Sequence, residues 1–129
     1  KPMKKASILI CDDETGVRES LKLILERDYE LNYVHHGKEA VEYQRKNQPD
    51  LVIMDIKMPH MNGLDALKNI RRIRRHVPIL MITGYESSDV AAQAIRLGAS
   101  DYLTKPFERE RVWEKVETLL SLPRKKRLW

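Results

Sequence analysis

Only one cysteine, Cys11, occurs in the 129 residues. No internal disulfide can form, so a secreted, disulfide-stapled scaffold is excluded and a reducing, cytoplasmic setting is expected. No apolar run approaches the roughly 18 residues that a membrane-spanning helix needs, so no membrane association is expected. Lys1-Pro2-Met3-Lys4-Lys5 before Ile8-Leu9-Ile10 has the charge order of a secretory signal, but the apolar stretch stops at Asp12-Asp13, too short and too acidic for one. Internal repeats and low-complexity tracts are also lacking. What is present, 42% hydrophobic and 33% charged residues, suits a soluble globular unit with one core, burying roughly two thirds of its unfolded surface.

A net charge of +5 points toward nucleic acid until it is located along the chain. Seven of the 24 basic residues lie at the ends: Lys1, Lys4 and Lys5, then Arg124, Lys125, Lys126 and Arg127. All 19 acidic residues lie between positions 6 and 121, against 17 basic ones, which leaves the body at −2. Direct nucleic-acid binding by the body is therefore disfavoured. The expected organisation is an N-terminal extension over 1–5, one domain over 6–121 and a basic tail or linker over 122–129. A start without an initiator Met and an abrupt end at Trp129 are expected of a piece of a longer protein.

Ile8 to Cys11, Leu51 to Met54 and Ile79 to Ile82 are continuous apolar blocks, the pattern of central strands buried on both faces of a parallel sheet. Leu31 to Val34 and Tyr102 to Leu103 are shorter or mixed and suit edges. Between them the period becomes helical: Val17, Leu21, Ile24 and Leu25; then Leu64, Leu67, Ile70 and Ile73; then Val90, Ala91, Ala94 and Ile95; then Val112, Val116, Leu119 and Leu120. A weaker helix is predicted from Lys38 to Asn47. Gly98 reads as a helix stop, and Pro49 stands just past another. Five strand-then-helix repeats predict right-handed βαβ units: an α/β, doubly wound, five-stranded parallel sheet with helices on both faces.

In such a sheet, ligands bind outside the carboxyl ends of the strands. The first strand runs into Asp12, Asp13 and Glu14, the third into Asp55, the fourth into Thr83-Gly84 and the fifth into Lys105-Pro106, while His35 and His36 follow the second. Three carboxylates in a small space are costly unless a cation neutralises them. Mg²⁺ suits them, because it takes one or two carboxylates, keeps waters and bridges to phosphate oxygens. A lysine and a hydroxyl in the same cluster are donors for a phosphoryl group. The set describes metal-assisted phosphoryl chemistry with a carboxylate available as nucleophile.

These residues carry a family resemblance. Asp12-Asp13-Glu14, Met54-Asp55-Ile56-Lys57-Met58-Pro59 with Gly63, Thr83-Gly84, and Asp101-Tyr102-Leu103-Thr104-Lys105-Pro106-Phe107 resemble, in order and over residues 6 to 121, the receiver domain of two-component response regulators. Met81-Ile82-Thr83-Gly84-Tyr85 through Lys105-Pro106-Phe107 is most similar to receivers attached to sigma-54-dependent, NtrC-class activators. The resemblance implies a flavodoxin-like sheet of order 2-1-3-4-5, with His35 and His36 at its outer edge. It implies that Asp55 accepts phosphate from a phosphohistidine on a sensor histidine kinase or phosphotransfer protein. Asp13, Asp55 and the backbone carbonyl of Lys57 would coordinate Mg²⁺ directly, and Asp12 mainly through a water. Lys105 would pair with the phosphoryl oxygens, Thr83 would donate its hydroxyl to another, and Tyr102 would change rotamer in response. The Lys105-Pro106 bond is expected to be cis, aiming the lysine into the site. Lys57 and Tyr85 occupy positions that vary in the family and border the path of attacking water. Such a domain is a signalling module that catalyses only its own phosphorylation and dephosphorylation. It passes its state to an effector domain, a partner protein or a second copy of itself through the face from Ser87 to Leu120.

Other readings fit less well. A haloacid-dehalogenase-like phosphatase places its nucleophile after the first strand with another aspartate two residues on, and needs a lid. A flavodoxin-like carrier would cradle a phosphate where Asp12-Asp13-Glu14 would repel it. The four histidines form no converging ligand set, so zinc is not expected. Cys11 reads as a small buried hydrophobe. Arg71, Arg72, Arg74 and Arg75, at a helix end where they suit the dipole, read as a solvated face.

Overall fold

A computed structural model describes residues 4–84 and 88–122. Tyr85, Ser87 and the tail beyond Leu122 lie outside the described residues, as do the basic groups of that tail. Five strands alternate with five helices: β1 (Ser7–Cys11), α1 (Thr15–Leu25), β2 (Glu30–Val34), α2 (Gly37–Lys46), β3 (Leu51–Asp55), α3 (Gly63–Ile73), β4 (Ile79–Thr83), α4 (Ser88–Arg96), β5 (Asp101–Thr104) and α5 (Arg109–Ser121). The strands form one sheet in the order β2-β1-β3-β4-β5, and every neighbouring pair is parallel.

The apolar blocks explain this layering. Every residue of β3 and β4 is buried. Because side chains alternate across a strand, Leu9, Cys11, Val52, Met54, Ile79 and Met81 enter one core with Ala40, Leu67, Ile70 and Ala94. Ile8, Ile10, Leu51, Ile53, Leu80 and Ile82 enter the other with Leu21, Leu25, Val112 and Val116. α2, α3 and α4 thus cover one face of the sheet, and α1 and α5 the other. β2 and β5, with partly exposed residues along them, close the two edges.

Local chemistry sets the helix ends. The His36 side chain accepts a bond from the Glu39 N–H at the start of α2, and Asn62 accepts from the Asp65 N–H at the start of α3. Gly98 stops α4 with φ +113, in the left-handed region where a Cβ is unwelcome.

Two expectations need correction. Ile95 is 44% exposed: Ala91 and Ala94 carry the buried stripe of α4, and the next position has already turned away from the sheet. The arginine run is not simply a solvated face. Arg71 Nε donates to the Gly98 carbonyl at 2.9 Å, and Arg74 Nη1 donates to the Pro49 carbonyl at 2.8 Å. These half-buried guanidiniums tie the end of α3 to the loops before β5 and β3. Arg72 and Arg75 remain exposed.

Candidate functional site

Parallel pairing carries the carboxyl ends of β1, β3, β4 and β5 to one rim. Asp12 directly follows β1, Asp55 closes β3 and Thr83 closes β4; their exposures are 1%, 2% and 1%. Asp55 lies opposite Ile82 in the β3–β4 register, which puts Thr83 one step further along the neighbouring strand. Lys105 comes just after β5, with its backbone N–H donating to the Thr83 carbonyl at 2.8 Å. The Lys105-Pro106 peptide is cis.

Lys105 is the hub of the polar contacts. Its Nζ donates to Asp55 Oδ2 at 2.9 Å and to Glu14 Oε1 at 2.8 Å, and it lies 4.0 Å from Asp12 Oδ2. Burial works against the ammonium, but the bonds to Glu14 and Asp55 outweigh it and raise the Lys105 pKa. The same bond holds the Glu14 carboxyl below its ordinary range.

Asp12 is under electrostatic stress. Its Oδ1 accepts the Glu14 N–H at 2.8 Å, and its carbonyl accepts from Arg18 Nη1 at 2.7 Å. Oδ2 is buried and has no hydrogen bond. Burial pushes this carboxyl up to about 6; the negative charge of Asp55 adds to the push, and the Glu14 N–H partly opposes it.

Asp13 is exposed yet belongs to the same group: one carboxylate oxygen each from Asp12, Asp13 and Asp55 lie within 4.8 Å of one another. Hard oxygen donors, an excess of negative charge and an orphaned buried Oδ2 fit a small divalent cation such as Mg²⁺. The Lys57 N–H donates to Asp55 Oδ1 at 3.2 Å, so the turn after β3 folds over the carboxylate. Gly63 makes that turn possible. Its N–H donates to the Ile56 carbonyl at 2.6 Å, and a Cβ there would strike the Asp55 carbonyl oxygen.

Tyr102 sits apart from this cluster, on edge strand β5, and is 40% exposed. Its N–H donates to Asp101 Oδ1, while Asp101 Oδ2 accepts from Lys115 Nζ on α5, both at 2.8 Å. An open cavity of about 420 Å³ between β5 and α5 is lined by Tyr102, Pro106, Phe107, Arg111 and Lys115.

Two contacts were not foreseen from the sequence. Glu14 reaches Lys105, a partner 91 positions away; the only signal was their shared place at the strand-end rim. His36 and His60 meet edge to face with ring centroids 4.9 Å apart, joining the start of α2 to the loop between β3 and α3, and nothing in the sequence pointed to it. His60 has φ 69. Asp12, Asp13 and Asp55 are the only group of three or more such ligand side chains that could hold a metal ion among the described residues.

Comparison with known proteins adds a consistent set of likenesses. The family model for the response regulator receiver domain matches residues 8–117. The chemotaxis protein CheY of Thermotoga maritima is 39% identical over 109 residues, covering 83% of this chain and 91% of the relative. The regulatory protein AtoC of Escherichia coli is 36% identical over 116 residues, 89% of this chain but 25% of AtoC. A solved response regulator from Chloroflexus aurantiacus superposes with a TM-score of 0.88 at 34% identity, covering 92% of this chain and all of that one. The chain thus spans nearly all of CheY and only a quarter of AtoC.

Proposed function

The chain belongs to the receiver domains of two-component response regulators, and from that premise we propose that it is a phosphorylation switch whose acceptor is Asp55. One observation carries the reading: a carboxylate 2% exposed at the end of a central strand, held by Lys105 Nζ at 2.9 Å beside two further carboxylates. In the proposed step an Asp55 carboxylate oxygen attacks the phosphorus of a phosphohistidine on a sensor histidine kinase or phosphotransfer protein. The O–P bond forms as the P–N bond breaks, and the imidazole nitrogen leaves with that electron pair. Lys105 draws the phosphoryl oxygens by charge, and the Thr83 hydroxyl donates to another. Asp13, Asp55 and the Lys57 carbonyl would hold Mg²⁺, with Asp12 acting through water. The ion, when bound, supplies positive charge against the phosphoryl oxygens. Attack of water on the acyl phosphate restores Asp55, so the domain catalyses its own loading and unloading and no other reaction.

Receiver domains are signalling modules, and the output proposed here runs through Thr83 and Tyr102 to the face from 87 to 120. That face would meet an effector domain, a partner protein or a second copy of the chain; Ser87 itself lies outside the described residues. Residues 6–121 form the proposed functional unit, flanked by the extension at 1–5 and the basic tail at 122–129, and direct nucleic-acid binding is not assigned to it. No described helix is long and apolar enough to cross a membrane, and we place the domain in the cytoplasm. The NtrC-class assignment draws support from the likeness to AtoC, although CheY matches equally well.

Intact-mass measurement with acetyl phosphate and Mg²⁺ tests the acceptor. The parent should gain a single phosphoryl group, labile to base and to hydroxylamine, and Asp55→Ala should gain none. Full labelling of Asp55→Ala would overturn the assignment.

A further inference from the structure

Glu14 occupies the N-cap position of α1, where Ser, Thr, Asp or Asn are favoured because their short side chains reach the N–H groups of the first turn. Glu14 makes no capping bond. Its backbone N–H is pinned by Asp12 Oδ1 at 2.8 Å, and its side chain crosses the rim to Lys105 Nζ, also at 2.8 Å. The ammonium is therefore shared, with Asp55 Oδ2 at 2.9 Å on its other side. A long acidic residue at a position that prefers a short one, directed away from its own helix, is poorly explained by the needs of α1 alone.

A phosphoryl group on Asp55 would bring two negative charges and a demand for the same ammonium. Glu14, with a side chain 59% exposed, would add a further negative charge at the mouth of the site. We propose that Glu14 is a positioning residue that competes with the phosphoryl group for Lys105 and so biases the domain toward its unphosphorylated state. This inference rests on the reading of Asp55 as the acceptor and deepens it by naming a residue that sets the switching balance. The pair is solvent-screened, so the effect belongs to the range of exposed ion pairs, about two- to fivefold in an equilibrium constant.

The test is titration of Mg²⁺-beryllofluoride, a phosphoryl mimic, into the parent, Glu14→Gln and Glu14→Asp, followed by NMR, alongside the acetyl phosphate concentration that half-labels each protein. Glu14→Gln should bind the mimic about two- to fivefold more tightly and label at correspondingly lower acetyl phosphate, with a melting temperature lowered by no more than about a few degrees. Glu14→Asp keeps the charge but is one methylene shorter on a pinned backbone, so it should follow the Gln variant. Equal or weaker binding by Glu14→Gln would overturn the competition, and so would a Glu14→Asp variant that behaves as the parent, which would indicate a general field rather than a shared ammonium. A parent that takes neither mimic nor label would sink the acceptor reading and this inference with it. A labelled parent with no difference between variants would sink this inference alone.

Discussion

On α2, Gln44 is 3% exposed, and neither its Oε1 nor its Nε2 has a hydrogen-bond partner. Ala40 and Val41, on the same helix, belong to the apolar core between the sheet and α3. A buried amide without partners forfeits its hydration and regains little, a cost of about 1–3 kcal/mol. Met has nearly the same length and helix preference without the polar end. Gln44→Met should therefore raise the unfolding free energy by about 1–2 kcal/mol, read from urea denaturation with an unchanged slope. An unchanged or lowered midpoint would show that the amide is satisfied in solution. Cys11 is the opposite case. Burial, with Asp12 and Glu39 nearby, pushes its thiol well above the ordinary range, so the small buried hydrophobe expected from its apolar neighbours is also chemically quiet.

The turn from α4 into β5 depends on Gly98, whose φ of +113 is one that a residue with a Cβ rarely adopts. A Cβ there would also come within 3.0 Å of Arg71 Cγ and Nε, and Arg71 Nε donates to the Gly98 carbonyl at 2.9 Å. Gly98→Ala combines backbone strain with displacement of that guanidinium and should cost about 1–3 kcal/mol, measured by thermal or urea unfolding. A variant as stable as the parent would mean the turn relaxes freely. The glycine itself was legible as a helix stop, and the three central strands were legible because parallel strands buried on both faces leave continuous apolar blocks. Strand-end residues were legible for a related reason: parallel strands place all their carboxyl ends on one rim, so Asp12, Asp55, Thr83 and Lys105 could be grouped before their distances were known. Arg71 and Ile95 were misread because periodicity gives a helix its face but not the loop or gap that meets the helix's end. The Glu14 contact was hidden because a charge at a strand end says nothing about which of several opposite charges it will take.

Across the whole molecule, the neutral-pH fold carries an acidic centre that Lys105, bonded to Glu14 and Asp55, compensates only in part. Buried Asp12 has its carboxyl pushed up to about 6, by burial first and by Asp55 next. A carboxyl whose folded pKa exceeds its unfolded value of 3.8 binds protons more readily in the native state, so its ionisation penalises folding above about pH 6. That penalty fades as pH falls from 6 toward 3.8. Lys105 acts with the other sign: its raised pKa contributes stability at neutral pH that is lost only as pH climbs through the alkaline range. Metal-free protein should thus show a contribution from Asp12 that favours folding at pH 5 over pH 7. Mg²⁺, which requires ionised ligands, should raise the melting temperature most at neutral pH and progressively less below about 6. The check is a set of melting curves at pH 5, 6, 7 and 8 with and without Mg²⁺ or with a chelator, repeated on Asp12→Asn and Asp13→Asn. Asp12→Asn should abolish the acid-side gain of the metal-free protein, because an amide has no proton to take up. Asp13→Asn should remove most of the Mg²⁺ increment while leaving that gain in place, since Asp13 is exposed and Asp12 is not. If Mg²⁺ raises both variants as much as the parent at every pH, the cation binds elsewhere on the molecule and the acidic rim is not its site.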